Sequence, residues 1–194
     1  MMMISLRGKA RIAAVALCSD DPGEDRVVVM AGEGRTEPGR VGDERGMLDA
    51  WLDYYRASVL HKCAGLSAEQ LAVRSCPPSP MSLAGLVRHL TEMERVYAHR
   101  LADREIALLY CTDDDPEADF EGASGGTAEE DLRVFGEHCA RSREIMATYD
   151  LDHAFGRQQS YSLRWVYLYL IKEYSRHLGH ADLLRERIDG VTGE

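Results

Sequence analysis

The chain has 194 residues, 45% of them hydrophobic, which is one domain's worth of core and too apolar for an acidic disordered chain. Lys and Arg number 23 against 33 Asp and Glu, a net charge of −10 with no basic run, which argues against nucleic-acid or anionic-membrane partners. No apolar run approaches the roughly 18–20 residues of a membrane helix, and Cys18, Cys63, Cys76, Cys111 and Cys139 are scattered without a Cys-x-x-Cys, the pattern of reduced cytoplasmic thiols.

Residues 1–42 read as a poorly structured leader, rich in Gly, Arg, Asp, Glu and Pro, ahead of a single domain over 43–194. Within it Ile12–Cys18 follows Arg7, Lys9 and Arg11 in the manner of a secretory signal. That run is short for such a signal, and Leu17 is a poor small residue for a cleavage site. A translation start further on, at Met30 or Met47, would make the leader an artefact.

From Asp43 onward the apolar residues recur every three or four positions, as one face of a helix requires. Leu48, Trp51, Leu52, Tyr55 and Val59 predict a first helix over about 44–63. Ser67 and Gln70 form a capping box for a short turn, and the prolines at 77, 78 and 80 end it. Ser82 caps a second helix to about 103, with Leu83, Leu86, Val87, Leu90, Met93, Tyr97 and Leu101 inward. A long acidic connection follows over 110–126. Thr127 and Glu130 suggest a second capping box, opening a third helix to about Tyr149. Ser160 or Ser162 begins a fourth, lined by Leu163 through Ile188 and stopped at Gly190. The expected fold is all-α, a four-helix bundle with long crossover loops.

Of the seven histidines, three stand where chemistry can be built. His177 and His180 share a face of the fourth helix, His177 inside the apolar stripe and His180 on its flank with Glu173 and Tyr169. His89 lies at the margin of the second helix's stripe. If those helices are neighbours, three neutral imidazoles converge, a donor set for Zn, Ni or Fe(II) with positions left open for water or a thiol. Glu173 is then a fourth ligand or a partner holding an imidazole N–H. Hydrogen-bonded core histidines would give the same spacing.

Other chemistry finds less support. Cys63, Cys76 and Cys139 are candidate nucleophiles, but a free Cys is more often a small core residue. There is no Gly-x-Ser-x-Gly, phosphate loop or dinucleotide fingerprint. Asp113–Asp115 lacks EF-hand spacing and reads as a solvated loop. Trp165 and Tyr167 read as core or interface anchors.

The stretch SLAGLVRHLTEME at Ser82–Glu94 resembles the second helix of the DinB-like (YfiT-like) bundle superfamily. LRWVYLYLIKEYSRHLGHADLLRERIDGVTGE at Leu163–Glu194 resembles its last helix in an actinobacterial subfamily related to mycothiol S-transferases. AGLSAEQL at Ala64–Leu71 and TDDDPEADF at Thr112–Phe120 also fit. The resemblance implies a divalent metal, zinc first and nickel or Fe(II) as alternatives, held by His89, His177 and His180. It implies transfer of a small-molecule thiol (mycothiol, bacillithiol or glutathione, with mycothiol expected here) to an electrophile, in a protein expected to be a cytoplasmic homodimer. Tyr169, Arg176 and Arg185 are separate candidates for orienting thiol or substrate. Relatives often carry His-Met-Ile-Glu-Glu where this chain has Tyr169-Leu-Ile-Lys172-Glu173. Lys172, read as pointing away from the stripe, is expected to be neutral in effect. Tyr169 is expected to change specificity or activity. A non-catalytic bundle that binds a partner or small ligand is the alternative function, since one fold serves many.

Overall fold

The computed structural model describes residues 35–156 and 160–192. The leader's two apolar runs, Ile12–Cys18 and Val27–Ala31, lie outside the described residues. Residues 35–42 form neither helix nor strand. Arg35 lies against the first helix, its Nε donating to Ser58 Oγ at 3.2 Å.

Four long helices make the bundle: α1 (Glu44–Cys63), α3 (Leu83–Leu101), α5 (Ala128–Met146) and α6 (Leu163–Asp189). Two single-turn helices, α2 (Ala68–Leu71) and α4 (Ala118–Glu121), sit in the connections. A ribbon of β1 (Ala154–Phe155) and β2 (Tyr161–Ser162) pairs antiparallel before α6. Helix α3 packs between α5 and α6, and α6 also packs on α1. The ring closes where Arg143 of α5 reaches Asp53 of α1, Nη2 to Oδ1 at 2.6 Å. The α5–α6 connection therefore crosses the bundle.

The predicted stripes supply the core. Leu83, Leu86, Val87, Leu90 and Leu101 of α3 meet Leu132, Phe135 and Cys139 of α5 and Leu163, Val166, Leu170 and Tyr174 of α6 in one buried cluster. Among the described residues no helix is long and apolar enough to cross a membrane.

Helix starts follow their capping side chains. Asp43 Oδ1 accepts from Gly46 N at 2.9 Å, Ser82 Oγ from Gly85 N at 3.1 Å, and Ser162 Oγ from Trp165 N at 3.2 Å. The Ser67–Gln70 box is reciprocal. Gly190, at φ 79°, closes α6 in the left-handed conformation that glycine adopts cheaply. The Thr127–Glu130 box does not form. Thr127 has helical ψ, −14°, where a cap needs extended backbone, and its hydroxyl turns back to the Ser124 carbonyl at 3.2 Å. Replacing Ser82 by alanine is therefore expected to cost about 1 kcal/mol of unfolding free energy in urea, and Thr127→Ala well under half of that.

The α3–α5 connection is anchored from α3. The buried Glu92 carboxylate accepts from the backbone N–H groups of Leu109 and Tyr110, the latter at 2.7 Å. Asp113, Asp114 and Asp115 are exposed. The connection then turns into α4, which lies against α3 where Gly85 bears no side chain: a Cβ there would stand 3.2 Å from Phe120 Cα.

Candidate metal centre

Helices α3 and α6 are neighbours, so the condition for convergence is met. His89 and His177 rings lie 4.6 Å apart between centroids. Glu173, one turn before His177, completes the group: ligand atoms of His89, Glu173 and His177 all lie within 4.8 Å of one another. His180 is adjacent, its Nδ1 3.3 Å from His177 Nδ1. Glu173 takes the third place in this group, and His180 stands beside it.

The electrostatics suit a cation. Burial, then the neighbouring His89 and His180 rings, push the His177 pKa down to about 4, so the ring is a neutral donor at pH 7. Burial opposes ionisation of Glu173, but hydrogen bonds from Lys172 and Tyr169 outweigh it and hold its carboxyl below the usual range. His177 Nε2 and Glu173 Oε2 are 3.5 Å apart. Two imidazoles and one carboxylate are a known donor set for zinc and for ferrous iron.

His89 is held from the far side. Asp119 of α4, buried, sits with Oδ2 2.8 Å from His89 Nδ1. That contact commits Nδ1 and leaves Nε2 for the site, the usual arrangement of a metal-bound imidazole and its carboxylate partner. Phe120 stacks on the other side of the ring, centroids 5.1 Å apart at 24°. Asp119 and Phe120 escaped the sequence reading because they belong to an acidic stretch with no helical period. The signal available was an apolar residue, Phe120, closing a run of aspartates.

Tyr169 and Arg176, the predicted thiol or substrate contacts, both flank the site. Tyr169 is half-buried and hydrogen-bonds Glu173. Arg176 is exposed and close enough to disfavour protonation of His177. Arg185, the third candidate, is committed elsewhere: its Nη1 donates to the carbonyls of Lys62 and Ala64 at 2.9 and 2.8 Å, capping the end of α1. Lys172 is not neutral in position. Its Nζ lies 2.6 Å from Glu173 Oε1, because a four-carbon stem lets it fold back over α6.

Among the cysteines, Cys63 and Cys139 are buried. Burial raises the Cys63 thiol to about 12 and lifts Cys139 further, so neither is a thiolate nucleophile near neutral pH. Cys76 and Cys111 are free and half-buried.

The bundle brings two histidines and a carboxylate together on facing helices, a group of residues able to hold a metal ion. A family model described as mycothiol-S-transferase matches residues 47–190. That span is most of the chain, and the chain belongs to this family. Comparison with curated proteins and with solved structures returns no match.

Proposed function

We propose that the protein is a divalent-metal-dependent thiol S-transferase, joining mycothiol to an electrophilic substrate. The observation that carries this reading is the close group of His89, Glu173 and His177 in a member of the mycothiol-S-transferase family. These three are the proposed ligands, with His180 beside them as a further donor, and zinc is the proposed metal, with ferrous iron the alternative that the same donors suit. A bound divalent ion would lower the pKa of a coordinated thiol from about 8.5, so that sulfur is a thiolate at neutral pH.

The chain's own residues do the rest. Asp119 fixes the His89 tautomer, and burial keeps His177 unprotonated. Tyr169 and Arg176 stand on the flank, where a phenol and a guanidinium can hydrogen-bond the polar body of a thiol cosubstrate or an acceptor oxygen. Holding sulfur and acceptor carbon in register supplies much of the rate, since coordination reduces sulfur's nucleophilicity.

The test is conjugation of mycothiol to monochlorobimane by the zinc-loaded protein, read by fluorescence and by the mass of the adduct. Adduct formation above the uncatalysed rate, lost on chelation and restored by zinc, is expected. Background rates with mycothiol, across a panel of haloalkyl, epoxide and enone acceptors, would overturn the transferase reading.

A further inference from the structure

On the proposed reading of Glu173 as a ligand, we propose that Lys172 and Tyr169 are positioning residues for its carboxylate, with Lys172 holding one oxygen so that the other is committed to the metal site.

Tyr161, Trp165, Tyr169, Glu173 and His177 follow one another at four-residue steps, one slowly turning stripe along α6 and the ribbon before it. The aromatic members brace each other. Trp165 stacks on Tyr169 with centroids 4.8 Å apart at 18°, and Tyr161 lies 4.6 Å from Trp165. Tyr97 of α3 closes on Tyr169 from across the helix pair at 4.9 Å. The Tyr169 ring is thus fixed on two sides, and its hydroxyl is delivered to Glu173.

The braced ring is also a seat for Lys172. The ammonium lies 4.1 Å from the Tyr169 centroid, a cation–π contact, and 2.6 Å from Glu173 Oε1. Oε2 is left as the oxygen facing His177 Nε2. A carboxylate with one oxygen tied to an ammonium binds an ion through the other alone. It leaves a coordination position open that a two-oxygen grip would fill.

Two physical effects of Lys172 oppose each other, and this makes the proposal testable. Its positive charge repels a metal ion, so charge alone predicts tighter binding when the charge is removed. Its hold on Glu173 predicts weaker binding, because partners that orient metal ligands typically contribute about 10–100-fold in affinity. Lys172 is more than half exposed, and the energy of a solvated ion pair is small. Orientation is therefore the larger effect.

The experiment measures Co(II) and Zn(II) affinity by chelator competition, with the visible Co(II) spectrum as the readout of coordination. The proteins are the wild type, Lys172→Met, Lys172→Arg and Tyr169→Phe, with folding checked by circular dichroism. Expected are an affinity loss of about tenfold in Lys172→Met and Tyr169→Phe, a changed Co(II) band pattern in both, and recovery toward wild type in Lys172→Arg. Equal or tighter binding by folded Lys172→Met, with an unchanged spectrum, overturns the clamp and leaves the metal site standing. Failure of the wild type to bind either ion overturns the metal site and the clamp with it.

Discussion

His177→Ala is expected to abolish stoichiometric metal binding, with an affinity loss above about 100-fold, since even partners one shell removed from a metal contribute up to that much. The residue sits at the meeting point: its ring is 4.6 Å from His89, its Nε2 is 3.5 Å from Glu173, and its Nδ1 is 3.3 Å from His180. It is buried and held neutral, so no proton has to be displaced from it at pH 7. His89→Ala and Glu173→Gln are expected to behave alike. His180→Ala separates the two possible donor sets. Retention of about one ion per chain, with less than about tenfold weakening, selects His89, Glu173 and His177; loss as severe as in His177→Ala selects three histidines. Metal content after dialysis, measured on folded untagged protein, decides between them. Full metal content in His177→Ala would remove the site altogether.

The second large effect lies in the core. Glu94 of α3 is fully buried and accepts a two-pronged hydrogen bond from Arg56 of α1, Nε to Oε1 and Nη2 to Oε2, both at 2.7 Å. Tyr174 of α6 donates to the same Oε1 at 2.8 Å, and Arg56 reaches Asp53 at 2.9 Å. With Arg56 Nη2 also donating to Ser142 Oγ of α5 at 3.4 Å, all four long helices meet at one ion pair. Removing one partner strands a buried charge, so Glu94→Ala is expected to cost about 3–5 kcal/mol, a large part of a typical domain's 5–15 kcal/mol. Replacing both, Arg56→Met with Glu94→Leu, is expected to be near neutral, because the desolvation of two ions disappears with their attraction. Urea unfolding of the two single variants and the pair measures this. A loss below about 1 kcal/mol in Glu94→Ala would show the pair to be dispensable.

The contrast between these two centres shows what a sequence can reveal. The convergence of His89 and His177 was legible because each falls on or beside an apolar stripe, and a side chain that shares a helix face with the core points toward it. Glu173 was legible only as a flank residue, like His180, and how closely each approaches His89 and His177 depends on rotamers that periodicity does not encode. Arg56 and Glu94 were not legible at all. They are 38 residues apart, and a charged residue inside a helical pattern is ordinarily assigned to the solvent face. The same logic explains the helix ends. Ser82 and Ser162 cap because their backbones are extended, while Thr127 carries the same side-chain signature on a helical backbone. The two-residue strands of the ribbon are too short to show alternation, and α4 is a single turn held by its contact with α3.

The close approach at Gly85 gives that contact a wider meaning. Gly85 stands one turn before His89 on the same helix and carries no functional group. Its missing methyl sets how deeply the α3–α5 connection can settle, and that depth sets the reach of Asp119 to the imidazole. Position 85 therefore acts as a spacer gauge: the thickness of one carbon atom there is transmitted, through a single helical turn, to the aim of a ring nitrogen.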